Sequence, residues 1–213
     1  MQGQKGQVKK MTGSFEACSE AYDGGTPPEI SMSLLESTMV PLGTACPDFT
    51  LPGVDGRLWS RNDFHCPALL MVVMCNHCPY VQSIDDRLNA LAKAYAGRCG
   101  VVGINANDAV THPEDSFRAM RERAAAKGYV FPYLWDEEQI VARALGAVCT
   151  PDFFLYDSHR HLVYRGRLDD NWKDAAHVTR QDLKEAIDGA LTGDGPFEIQ
   201  HPSMGCSIKW RAR

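Results

Sequence analysis

The apolar positions of this chain follow two different periods, and each predicts a different element. Ala68-Leu-Leu-Met-Val-Val-Met74 is a continuous apolar run between Pro67 and Cys75. An uninterrupted run of this length predicts a central strand buried on both faces. Gly100-Val-Val-Gly-Ile104 predicts its neighbour. Between them Val81, Ile84, Leu88, Leu91 and Tyr95 recur every three or four residues, which predicts a helix over 80–95 stopped by Gly97. Thr111, Pro113 and the acids after them predict a second helix reaching Lys127-Gly128. Phe131–Trp135 reads as a short extended piece and Glu138–Leu145 as a short helix. Asp152–Tyr156 and His161–Arg165 read as a strand pair turning at Asp157-Ser158. Arg180–Leu191 closes the pattern as an amphipathic helix, and the tail from Gly193 reads as loop. Upstream, Asp48–Leu51 and Arg57–Trp59 flank the turn Val54-Asp-Gly56, an N-terminal hairpin. The first 31 residues carry neither period and are expected to be a disordered or loosely attached arm. The expected organisation is therefore an arm at 1–31, an α/β domain at 32–195, and a tail at 196–213 docked through Ile208 and Trp210.

Composition narrows the class. The 213 residues include 22 Lys and Arg against 27 Asp and Glu, a net charge of −5. Mild acidity argues against nucleic acid or an anionic membrane as the main partner. No apolar run reaches the 18 residues of a membrane span. Eight cysteines could suggest a secreted disulfide framework. A domain of this size can bury a sufficient core without staples, and Met1–Lys10 lacks the apolar stretch of a signal peptide. We therefore expect a reducing, cytoplasmic compartment in which closely spaced cysteines are redox-active or metal-binding.

Cys75-Asn-His-Cys-Pro-Tyr80 lies where the buried strand hands over to the helix. A cysteine at a helix N-terminus faces unpaired N–H groups and the positive end of the dipole, which favours the thiolate. That argument puts Cys75 at the N-cap, with Cys78 one turn in and Pro79 in the first turn. A protonated His77 would further stabilise the thiolate and make the pair more oxidising, nearer protein disulfide isomerase than thioredoxin. A CxxC alone is also half of a zinc site, but its strand–helix position favours redox chemistry. Cys46, Cys66, Cys99 and Cys18 have no partner signature and read as ordinary thiols. His112, His159, His161, His177 and His201 fall in caps and loops. His159 or His161 keeps open a copper site of two cysteines and a distant histidine. Arg165, Arg167, Asp169 and Asp170 read as a solvated strand end, or as the rim of the site.

A strand–CxxC–helix unit, Thr150-Pro151 before a strand hairpin, and a closing helix resemble the thioredoxin superfamily. Ala45-Cys-Pro-Asp-Phe-Thr-Leu-Pro52 and Trp135-Asp136 resemble its peroxiredoxin-like branch, the alkyl hydroperoxide reductase/thiol-specific antioxidant (redoxin) proteins. Cys149-Thr-Pro-Asp152, Arg165-Gly-Arg-Leu-Asp-Asp170 and Pro202-Ser-Met-Gly-Cys-Ser-Ile-Lys-Trp210 strengthen the likeness, which covers residues 39–210. It implies a thioredoxin-like fold, a central mixed sheet flanked by helices with an N-terminal hairpin extension. It also implies that Thr150-Pro151 is a cis-proline loop facing the CxxC and pairing with an extended substrate, with Cys149 close by. Peroxiredoxins carry Thr or Ser three residues before the peroxidatic Cys-Pro, and an Arg across the site. If Cys78-Pro79 is that pair, these positions fall on Cys75 and on or beside Pro151.

The expected function is thiol–disulfide oxidoreduction. Cys75 attacks, Cys78 resolves, His77 tunes the thiolate, and Thr150 and Pro151 hold the partner chain. Cys149 and Cys206 are candidate accessory thiols. No cofactor or metal is required; the partners are a disulfide or thiol substrate and a reducing dithiol. Two alternatives stay open, a thiol peroxidase and a copper- or zinc-binding or redox-sensing module. A redox titration reads the role of His77: the expected potential lies above thioredoxin's and falls in His77→Ala, whereas a thioredoxin-like value unchanged by the substitution would refute it.

Overall fold

A computed structural model of the chain describes residues 34–194 and 199–212, so the arm expected at 1–31 lies outside the described residues. The elements begin with β1 (Leu34–Glu36), β2 (Thr50–Pro52), β3 (Leu58–Ser60), β4 (Ala68–Val73), α1 (Pro79–Ala94) and β5 (Cys99–Asn105). There follow α2 (Phe117–Lys127), β6 (Tyr133–Trp135), α3 (Ile140–Leu145), β7 (Cys149–Thr150) and β8 (Asp152–Tyr156). The chain closes with β9 (Leu162–Gly166), α4 (Asp182–Thr192) and β10 (Met204–Ser207).

The main sheet has the order β6-β5-β4-β8-β9. It is mixed: β4 pairs in parallel with β5 and antiparallel with β8. The six residues of β4 are wholly buried, as an uninterrupted apolar run requires. The period of two then divides them. Ala68, Leu70 and Val72 pack with Ile84 and Leu88 of α1 and Leu183 and Ile187 of α4. Leu69, Met71 and Val73 pack on the other side with Leu145 of α3, Phe154 and Ile208. The N-terminal hairpin is β2 on β3, and its turn is held by Asp55, which accepts hydrogen bonds from the Trp59 indole and the Arg57 amide. No helix among the described residues is long and apolar enough to cross a membrane.

Two expectations need correction. The second helix does not begin at Thr111. That hydroxyl bonds the Asp108 carboxylate at 2.9 Å, a 3-10 turn covers Pro113–Asp115, and the α-helix starts after Ser116, whose Oγ accepts from the Ala119 amide. Asp115, expected as a first-turn acid, is turned inward and buried. The tail is not all loop either. β10 is the middle strand of a second sheet, antiparallel to β1 on one side and to β7 on the other. Ile208 is buried beyond it, and Trp210 lies under the Arg143 guanidinium, 4.2 Å from the ring centroid. The docking residues were therefore legible, but a strand of four residues, three of them small, carries too weak a period to be read.

Because β4 is covered on both faces, truncating it should be costly. Leu70→Ala should lose about 2–5 kcal/mol in urea unfolding with an unchanged m-value. A loss below about 1 kcal/mol would contradict its central position.

Candidate functional site

The CxxC segment spans the gap between β4 and α1. The residue before a proline is held in extended conformation, and proline itself suits the first helical position. Cys78, not Cys75, is therefore the N-cap, at φ −67° and ψ 120°, with Pro79 opening the helix. Cys75 lies before the cap. This reverses the expected helix-terminus argument: the positive end of α1 favours negative charge at Cys78.

The Thr150-Pro151 peptide is cis and faces both sulfurs. Thr150 Oγ1 is 3.3 Å from Cys75 Sγ, and the Thr150 carbonyl oxygen is 3.0 Å from Cys78 Sγ. Cys206 Sγ lies 3.1 Å from Cys78 Sγ. All three sulfurs are buried, Cys75 and Cys78 with no exposed surface. The Cys75 thiol, by hydrogen-bonding to it, is the main influence lowering the pKa of Cys78; burial opposes this, and Cys206 and the Thr150 hydroxyl assist. Cys75 is pushed the other way, first by burial, then by that same hydrogen bond and by the Asp115 charge. The two shifts run in opposite directions, so Cys78 is the more readily ionised of the pair.

Asp115 organises the other side of the segment. Its Oδ1 accepts from the Asn76 amide at 2.6 Å, and its Oδ2 accepts from Asn107 Nδ2 at 2.7 Å. His77 Nδ1 is also 2.6 Å from Oδ2. Asn76 is pinned further by its Nδ2 on the Glu114 carbonyl and by Tyr133 Oη donating to its Oδ1. His77 is thus held on Asp115, with its ring nitrogen within 4.8 Å of Cys75 Sγ. The hydrogen bond to Asp115 raises its pKa, and the Cys78 thiolate adds to the same direction, so the imidazolium and the thiolate favour one another. Burial resists ionisation of Asp115, but the bonds from His77 and Asn107 hold its pKa below the ordinary 3.8. His77 also stacks on His112 at 5.3 Å between ring centroids.

Among the described residues, Cys75, His77 and Asp115 form the one group of three ligand-type side chains whose donor atoms lie within 4.8 Å of one another. The Asp115 carboxylate accepts from the Asn76 amide and Asn107 Nδ2 and pairs with His77, so the described residues tie the group into a hydrogen-bond network. His159 and His161 lie across the turn at the far end of β8 from Pro151. Five strand residues separate them from the loop, about 15 Å, which removes them from the sulfurs. Cys149 is buried on the loop with its Sγ 3.8 Å from the Pro151 carbonyl, and burial together with the Asp152 charge pushes its pKa up. Arg167 and Asp169 do reach the rim. With Pro151, Trp172 and Met204 they line a cleft of about 110 Å³, and each is tied down, Arg167 to Asp182 and Asp169 to Arg87. Sequence reasoning missed Asp115, Asn76, Asn107 and Gly205. Asn76 lies inside the CxxC and Asn107 only eight residues from Asp115, but the contacts that give Asp115 and Gly205 their roles are made far along the chain.

One implication of the resemblance is also altered. The edge of β7 that would receive an extended substrate is taken by β10, with Cys206 opposite Thr150 and Ser207 opposite Cys149.

The AhpC/TSA family profile matches residues 42–165. The chain belongs to the AhpC/TSA family. No curated protein matches it. Among solved structures, a hypothetical protein from Sinorhizobium meliloti 1021 is 45% identical over 84% of this chain and 99% of its own, with a TM-score of 0.80. An uncharacterised conserved protein from Geobacillus kaustophilus is 42% identical over 86% of this chain and 100% of its own, with a TM-score of 0.82. A thiol:disulfide interchange protein of the thioredoxin family from Chlorobium tepidum, 20% identical, covers 70% of this chain and 97% of its own at a TM-score of 0.54, a likeness of fold. This AhpC/TSA protein is accordingly a thioredoxin-superfamily redoxin with a thioredoxin-like mixed α/β fold, and the family supports thiol-based redox chemistry in general.

The His77–Asp115 pair sets a pH window. A raised imidazole pKa stabilises the fold fully below the ordinary 6.5 and loses that contribution as pH rises through the raised value. The lowered carboxyl contributes above 3.8 and is lost as pH falls through the lowered value. The pair should be fully formed between those two ordinary values. In an NMR titration His77 should titrate above 6.5, and Asp115→Asn should bring its midpoint down; a midpoint indifferent to Asp115→Asn would contradict the pairing.

Proposed function

We propose that this AhpC/TSA protein is a thiol–disulfide oxidoreductase in which Cys78 is the attacking thiolate and Cys75 the resolving thiol. One observation carries the reading: Cys78 is the N-cap residue of α1 and faces the Thr150-Pro151 loop, and its pKa is lowered to about 5 with Cys75 as the first cause. The nucleophile is thus exchanged relative to the sequence argument, because the N-cap position moved. The Cys78 thiolate attacks one sulfur of a substrate disulfide. A mixed disulfide forms, the substrate S–S bond breaks, and the departing substrate thiolate takes a proton. Cys75 then loses its proton and attacks Cys78 Sγ, releasing the second substrate thiolate and leaving a Cys75–Cys78 disulfide. A partner dithiol returns that disulfide to two thiols. His77 keeps a positive charge near Cys78, held there by Asp115. Thr150 contacts both sulfurs and positions them. A reducing, cytoplasmic compartment suits this cycle, since it supplies the dithiol.

Reduction of a peroxide is the second reading. Its support is the family and the burial of Cys78, which a small oxidant can reach more easily than a protein disulfide can. Against it, the positions expected for the peroxidatic Thr and Arg hold Cys75 and Pro151.

Insulin reduction and peroxide consumption, each with a thiol donor, separate the two. We expect disulfide exchange to dominate, to fall at least 100-fold in Cys78→Ser, and to stall as mixed disulfides on Cys78 in the double variant Cys75→Ser/Cys206→Ser, where neither neighbouring thiol can resolve them. Mixed disulfides trapped instead on Cys75 in Cys78→Ser would return the nucleophile role to Cys75. Efficient peroxide turnover without disulfide exchange would favour the peroxidase.

A further inference from the structure

β10 is held against the cis-proline loop from several directions. Cys206 is opposite Thr150 in the ladder with β7, and the Ile208 amide donates to the Val148 carbonyl at 3.0 Å. Ser203 Oγ donates to the Pro151 carbonyl at 2.6 Å, and the Ser37 amide donates to the Ser203 carbonyl at 2.8 Å. The seat is so close that residue 205 can carry no side chain. A Cβ on Gly205 would overlap the Thr150 carbonyl oxygen, whose other neighbour is Cys78 Sγ. Backbone approach of this kind demands glycine.

The result of that approach is the third sulfur. Cys206 is buried, and its Sγ is 3.1 Å from Cys78 Sγ, on a strand occupying the edge where a substrate strand would lie. Docking alone would need only a small apolar side chain at 206. A thiol aimed at Cys78 is one step from the roughly 2.05 Å of a disulfide.

We propose that Cys206 is a third redox cysteine, which exchanges with the Cys75–Cys78 disulfide to give a Cys78–Cys206 disulfide that staples β10 across the Thr150-Pro151 loop. The proposal rests on the reading of Cys75 and Cys78 as a redox pair. In the exchange Cys206 gives up its proton and its sulfur attacks Cys78 Sγ. The Cys78–Cys206 bond forms, the Cys75–Cys78 bond breaks, and Cys75 leaves as a thiolate that takes the proton. One disulfide is consumed and one is made, so no further oxidant enters. The stapled form stores the oxidised state with the substrate edge occupied, and the reducing dithiol must open it before the next turnover.

The test is disulfide mapping on the full chain: oxidation with one equivalent of diamide, blocking of free thiols with N-ethylmaleimide, and peptide mass spectrometry. Wild-type protein should yield both Cys75–Cys78 and Cys78–Cys206 linkages. Cys75→Ser should yield Cys78–Cys206 alone, and Cys206→Ser should yield Cys75–Cys78 alone. Gly205→Ala, which keeps all three thiols but pushes β10 away, should cut the Cys78–Cys206 linkage at least tenfold while Cys75–Cys78 persists. The proposal is overturned if wild type forms Cys75–Cys78 while Cys206 stays unlinked there and in Cys75→Ser, or if Cys206 links to Cys149 instead. If wild type forms neither linkage, the redox-pair reading fails and takes this one with it.

Discussion

Six consecutive residues, Ala68–Val73, lie at the centre of both cores, and the rest of the molecule is arranged by the need to cover them. Because a strand alternates its side chains, covering β4 requires helices α1 and α4 on one face and α3 with the C-terminal segment on the other. The same strand delivers the chain to Cys75, buried, with α1 pointing back from Pro79. The CxxC segment is therefore short and fixed at both ends. Its chemistry comes from where the helix begins: proline sets that point, the residue before it becomes the cap, and the helix field falls on Cys78.

Burial brings a second constraint. Sulfurs out of contact with water resist ionisation, as the raised Cys75, Cys149 and Cys206 values show. Among the described sulfurs with a shifted pKa, the fold offsets this at Cys78. Cys78 receives hydrogen bonds from neighbouring thiols and lies near an imidazolium that Asp115 keeps charged. The same carboxylate penalises a charge on Cys75. One buried acid, bonded by Asn76, Asn107 and His77, thus helps to push apart the pKa values of two cysteines three residues apart.

Closure of the site follows from the second sheet. Thioredoxin-like loops present a free backbone edge, and an open edge accepts a strand. Here the chain supplies its own, with glycine at the point of closest approach and cysteine at the next residue. A site closed by its own terminus lets small oxidants and internal thiols reach Cys78 more readily than bulky substrates, so movement of β10 becomes part of any reaction with a protein.

The strand–CxxC–helix unit, the proline before β8, the hairpin and the closing helix were all legible from hydrophobic period and turn chemistry, because those signals are local. So was the candidacy of Cys75, His77, Cys78, Thr150, Pro151 and Cys206. The period could not say that Cys78 rather than Cys75 caps the helix, although Pro79 held that information. It also misread Thr111–Asp115, where a side chain that pairs with a distant backbone amide looks like any first-turn acid. The tertiary structure alone decided that Asp115 lies under His77, that Asn76 and Asn107 complete its shell, and that Cys206, 128 residues from Cys78, comes within 3.1 Å of it. Sequence determines elements because propensity and period act over neighbouring residues. Which sulfur is charged and which thiols meet depends on long-range burial and hydrogen bonds, and these exist only once the chain has closed on itself.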